Sequence, residues 1–165
     1  MLLRRQVLAA STTTLPLFLG LAGCAGHPNP LTGPPPLSPD VRVLMTAVTA
    51  EDNLVYLYTR TVASYPSLAA GLSPLLAEHQ AHLSALRARI IEPPGKKLHL
   101  RPSSRPAIPA TQAEAVAQLR TAEQAAVTAQ LGRLPAASPV EAQLYASIAA
   151  SEATHITILK GLSLS

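Results

Sequence analysis

Ser151-Glu152-Ala153-Thr154-His155 lies in the middle of the last helix-forming stretch of the chain. Leu144, Ile148, Leu159 and Leu162 flank it at steps of three and four, in phase with Glu152 and His155. Those steps trace the inward stripe of an amphipathic helix. A carboxylate and an imidazole therefore interrupt the core face of their own helix, which is costly unless something pairs with them. A metal ion is one such partner. Glu-x-x-His sets both side chains on one helical face about a turn apart, close enough to share an ion. Matching groups sent to the same level by other helices would complete such a site.

Working outward, the start signals place four helices. Ser38-Pro39, Ser73-Pro74 and Ser138-Pro139 each read as an N-cap serine followed by proline at the first helical position. Thr111-Gln-Ala-Glu114 and Ser138-Pro-Val-Glu141 have the capping-box pattern. The spacing predicts helices near 39–64, 74–91, 111–132 and 139–161, with a helical turn at 68–72. Short connections join the first pair and the last pair. Between the pairs lies Pro93 to Pro109, too rich in proline for a helix. Two antiparallel helical hairpins joined by one long crossover make an all-α four-helix bundle of the ferritin-like topology. The crossover carries Lys96, Lys97, His99, Arg101 and Arg105 and reads as a solvated loop.

Each helix has a polar interruption near its midpoint. The first reads Leu44, Val48, Glu51, Val55, Tyr58, Val62, with a rival stripe of Leu44, Ala47, Leu54 and Leu57 that would turn Glu51 partly outward. The second reads Leu72, Leu75, His79, His82, Leu86, Ile90, and the third Val116, Leu119, Glu123, Val127, Gln130, Leu134. Glu51 and His82 stand 31 residues apart, Glu123 and His155 32, which hints at an internal repeat. The candidate metal ligands are thus Glu51, His79, His82, Glu123, Glu152 and His155. Tyr58 and Tyr145 lie two turns from Glu51 and, on the other side, Glu152, as candidate hydrogen-bond or redox partners, or simply as core aromatics.

With those residues in order, the chain resembles the ferritin-like di-metal carboxylate superfamily, whose pattern is Glu, Glu-x-x-His, Glu, Glu-x-x-His on successive helices. Glu51, His82, Glu123, Glu152 and His155 match it. His79 departs from it, standing where a glutamate is expected, and Glu78 is one residue off register. The resemblance implies one or two ions in the bundle core, iron first (a di-iron pair), with oxidase or ferroxidase chemistry. A histidine in a bridging carboxylate's place lowers the site's negative charge and suits zinc, manganese or iron in a mixed site. Over roughly 45–160 the chain is more closely similar to the ferritin-like lipoproteins of GC-rich bacteria, a family named for its fold.

The beginning of the chain fits that likeness. Met1-Leu-Leu-Arg4-Arg5-Gln carries positive charge, an apolar run follows, and Leu21-Ala22-Gly23-Cys24 resembles a lipobox. The expected organisation is an export signal at 1–23, with a resemblance to twin-arginine signals at Arg4-Arg5, then Cys24 as a lipidated anchor with a Pro-rich tether to 39. The bundle occupies 40–162. Localisation follows as exported and lipid-anchored at the outer face of the cell membrane. Cys24 is the only cysteine, so a thiolate cage or intramolecular disulfide is excluded. Arg4 and Arg5 supply two of the +4 net charges. Trp is absent, and no aromatic-plus-basic platform for nucleic acid appears.

No nucleophile motif, phosphate loop or zinc-protease helix is present. The competing expectation is a metal-free bundle, in which the glutamates and histidines satisfy one another as a register-fixing layer. The exposed helical faces would then serve a protein partner or a homodimer.

Overall fold

The computed structural model describes residues 37–92, 98 and 105–162. The expected export signal, Cys24, most of the tether, and Lys96, Lys97, His99 and Arg101 lie outside the described residues. Among those described, the chain is all-helical: α1 (Pro39–Ser64), α2 (Ala69–Arg87), α3 (Gln112–Arg133) and α4 (Pro139–Leu162), with single 3-10 turns at Pro66–Leu68 and Leu134–Ala136.

The caps form much as the side chains dictate. Ser38 Oγ accepts from Val41 N, and Thr111 Oγ1 accepts from Glu114 N. At α4 the box is reciprocal: Glu141 N reaches Ser138 Oγ, and Glu141 Oε2 accepts from Ser138 N. The exception is α2. It begins at Ala69, before the expected Ser73 cap, so Pro74 sits inside the helix. One missing N–H so near the start removes a single intrahelical bond. Burial of Leu68, Leu72 and Leu75 holds the early turns in place regardless.

α1 pairs with α2 and α3 with α4, while α1 also packs on α3 and α2 on α4. Tyr65 Oη donates to Pro109 O, and Ser67 Oγ donates to Gln112 Oε1, so α3 starts beside the α1–α2 turn. Arg105 pairs with Asp52 half-way along α1 and lies over the Tyr56 ring. Arg87, at the far end of α2, reaches the same Asp52. The core has two apolar parts. One, near the α1–α2 turn, contains Leu54, Leu57, Tyr58, Leu72, Leu119 and Leu159; the other contains Leu44, Val48, Leu83, Leu86, Tyr145 and Ile148.

The two rival stripes of α1 merge: Leu44, Ala47, Val48, Glu51, Leu54, Leu57, Tyr58 and Thr61 are all buried. An interior helix facing two neighbours buries an arc wider than one stripe. The same widening buries Leu83 on α2 and Ala126 on α3, and leaves Val55, Val62 and Val127 only half-buried. Leu119→Ala, at a fully buried position, should lower unfolding free energy by about 2–5 kcal/mol, measured by chemical denaturation. A loss below about 1 kcal/mol would show that this level of the core is not packed as described.

Candidate metal centre

Between the two apolar parts lies a polar layer. Glu51, His79, Glu123, Glu152 and His155 are buried to within 1% of complete. His82 keeps 17% of its side chain exposed, because it stands at the edge of the α2 stripe. Glu51, His79, His82, Glu123 and His155 therefore meet at one level, and they do so by helical phase, while the sixth expected residue, Glu152, is buried nearby but joins neither their hydrogen bonds nor their donor sets. Glu51 falls three residues after Val48 and three before Leu54, and His79 falls midway between Leu75 and Leu83.

Most of the layer is one hydrogen-bonded chain. His79 Nδ1 is 2.8 Å from Glu51 Oε1, and its Nε2 is 2.8 Å from Glu123 Oε1. His82 Nδ1 lies 3.2 Å from Glu51 Oε1, and His155 Nδ1 lies 3.2 Å from Glu123 Oε1. Tyr58 Oη donates to Glu123 Oε1 at 2.5 Å. Each of these two glutamates thus crowds its donors onto one oxygen and leaves the other, Oε2, buried with no partner. Glu152 is the extreme case, with neither oxygen partnered. Gln130 comes near enough to favour its charge, while the Gln130 side-chain oxygen accepts from Arg133.

Glu78 and Ser151 extend the chain outward. His155 Nε2 lies 3.0 Å from Glu78 Oε2, on a carboxylate 55% exposed, and Ser151 Oγ donates to that same oxygen. Glu78 is thus outside the core layer yet bound to it. The signal for this was faint: Ser151 stands one turn before His155, and Glu78 directly precedes His79. Tyr58 does join the site. Tyr145 does not; it packs in the far apolar part, near Arg133.

Electrostatics set the protons. Burial disfavours the charged forms throughout, and the paired groups overcome it. Hydrogen bonds from His155 and His79 pull Glu123 down to about 2, and those from His79 and His82 hold Glu51 below its ordinary value. The same bonds from Glu123 and Glu51 raise His79 to about 9. Glu152 moves the other way: burial, then the charges of Glu51 and Glu123, lift it to about 8. Burial and the Glu123 charge raise the Tyr58 hydroxyl, which stays a donor. At neutral pH the layer thus holds protons on His79 and Glu152, positive charge that a bound cation would supply in their stead.

Among the described residues, two sets of donor atoms are close enough to hold an ion: Glu51, His79 and His82, and separately His79, Glu123 and His155, with the atoms of each set within 4.8 Å of one another. The unpartnered oxygens of Glu51, Glu123 and Glu152 fit the same conclusion, since a cation would satisfy them. Comparison with protein-family models, curated proteins and solved structures gives no match for this chain.

The shifted groups fix how metal-free stability varies with pH. His79 stabilises the fold fully below about 6.5, and that contribution is lost as pH rises through about 9. Glu152 binds its proton more tightly folded than unfolded, so its share is lost as pH rises from about 4.5 through about 8. The metal-free protein should therefore melt at falling temperatures between about pH 5 and pH 9, and Glu152→Gln should flatten the lower half of the decline. A melting temperature that is level or rising over that range, followed by circular dichroism, would contradict these assignments.

Proposed function

We propose that this chain is an exported, lipid-anchored protein of ferritin-like topology whose bundle core binds transition-metal ions. The carrying observation is the pair of His/Glu donor sets in a fully buried layer. Mixed imidazole and carboxylate donors suit zinc, manganese and iron, and no soft thiolate is at hand to favour copper(I). A bound iron would supply one-electron redox chemistry. What the chain's own residues do is narrower: Glu51, Glu123 and Glu152 neutralise the ion's charge, the imidazoles fix its position, and the apolar parts of the core keep bulk water out.

The ferritin-like topology draws support from the α1–α2 and α3–α4 pairing and from the placement of Arg105 and Pro109 along α1. The long link it requires between α2 and α3 includes residues outside those described. Lipid anchoring rests on Leu21 to Cys24 alone. No helix among the described residues is long and apolar enough to cross a membrane.

One observation favours the metal-free alternative: the Glu51–His79–Glu123–His155–Glu78 chain closes hydrogen bonds without any ion. Glu152 weighs against it, because a self-satisfied layer would not leave both oxygens of a buried carboxylate without partners.

Elemental analysis of untagged protein, purified by way of its own export signal, tests the proposal against the His82→Ala/His155→Ala double variant. Near-stoichiometric iron, manganese or zinc in the parent, lost in the variant while helical content persists, is the expected result. Absence of metal in both, even after anaerobic addition of ferrous iron, would leave the polar layer as a structural device in an interaction or dimerisation module. Glu78→Ala should separately weaken metal affinity about 10–100-fold by freeing the outer nitrogen of His155, read by competition with a chromogenic chelator. Unchanged affinity would show that His155 needs no such support.

A further inference from the structure

The two donor sets share a single residue, and they use opposite sides of it. His79 turns Nδ1 to Glu51 and Nε2 to Glu123, at 2.8 Å each. Beyond each carboxylate stands one more histidine, presenting Nδ1 at 3.2 Å: His82 on one side and His155 on the other. The arrangement is close to two-fold. Each half contributes a glutamate from its first helix and, 31 or 32 residues on, a histidine from its second. The His79 ring lies between the halves. It is held there by Tyr58 at 4.8 Å, His155 at 4.9 Å and His82 at 5.9 Å between ring centroids.

We infer that this core takes two divalent cations, one in each donor set, joined through the His79 ring as a bridging imidazolate. The inference deepens the metal-binding reading and rests on it. One ion has Glu51, His82 Nδ1 and His79 Nδ1; the other has Glu123, His155 Nδ1 and His79 Nε2. In a tetrahedral site with bonds of about 2.0–2.2 Å, neighbouring donor atoms stand about 3.3 Å apart. The present 2.8 and 3.2 Å nitrogen–oxygen separations open by a few tenths of an ångström on binding, and the two nitrogens of each set, now within 4.8 Å of one another, settle to the same spacing. The proton balance is simple. In the metal-free layer both ring nitrogens carry a proton toward a carboxylate; the first ion displaces one and the second ion the other, and both protons leave to solvent. Nothing is oxidised or reduced.

The bridge follows from the departure at position 79. A glutamate there would join two ions through one small carboxylate. A ring holds them at its opposite edges, each a further bond of about 2.0–2.1 Å away, well beyond the ~3.5–4 Å of ion pairs that clamp a single reacting group between them. Each ion keeps three protein donors and a fourth position, the arrangement of reactive rather than purely structural sites. Glu152 belongs to neither donor set, though its unpartnered oxygens are close enough to feel the charges of Glu51 and Glu123.

Copper(II) is the probe, because it binds nitrogen and oxygen donors most tightly in the divalent series and reports coupling by electron paramagnetic resonance. The full-length, untagged chain is titrated with copper(II), counting bound copper and recording spectra. Two coppers per chain are expected, with the isolated-ion signal replaced by an exchange-coupled spectrum at the second equivalent. His82→Ala and His155→Ala should each bind one copper fewer and keep the isolated signal. Two coppers without coupling, or one copper per chain, would overturn the bridge and leave metal binding standing. No bound copper would overturn both. A copper count unchanged in both variants would place the ions elsewhere and also overturn it. Should a variant lose its helical circular dichroism, coupling in the parent protein decides alone.

Discussion

Four helices here must bury three carboxylates and two imidazoles completely at one level of their core, and the rest of the structure accommodates that demand. A charged group without a partner in such a place would cost several kcal/mol. The layer meets the demand by alternation. Carboxylate, imidazole, carboxylate and imidazole follow one another from Glu51 through His79 and Glu123 to His155, and Glu78 ends the row at the surface. Apolar clusters above and below exclude water, which strengthens every pairing inside the layer. Glu152 alone is left over. Its protonation in the metal-free chain is the least costly response to burial beside the charges of Glu51 and Glu123.

The same layer ties the two hairpins together. Within each hairpin the helices pack along their lengths, but His79 on α2 bonds to Glu51 on α1 and to Glu123 on α3. Helix sliding by a single residue would carry one of these groups about 1.5 Å along the axis and about 100° around it, breaking the row. Register between the hairpins is therefore set by polar geometry, while the apolar residues supply most of the driving force. Tyr58 adds a second tie from α1 to α3 through its bond to Glu123.

Much of this was legible in the sequence because helical periodicity is a strong signal. Start signals placed the four helices, and three- and four-residue steps marked their inward polar residues. The start of α2 was less legible: Ser73-Pro74 has every feature of a helix start, yet burial of Leu68 and Leu72 extends the helix back to Ala69. Tertiary packing outweighed a local cap worth about 1 kcal/mol. The width of each buried face was also hidden, since a stripe read from one helix says nothing of how many neighbours it has. Glu78 was visible only as a mismatch of register. Its role depends on the angle between α2 and α4, which no linear spacing encodes. The family likeness drawn from the six polar positions stays a proposal, as does the export signal ahead of the bundle.

Anomalous diffraction shows whether cations occupy this layer. Crystals grown with zinc, measured on both sides of the zinc absorption edge, should show anomalous density within bonding distance, about 2.0–2.2 Å, of His79 and of Glu51 or Glu123, with Glu152 turned toward it. Zinc density confined to surface histidines and carboxylates, with the His79–Glu123 contact intact at saturating zinc, would contradict the account.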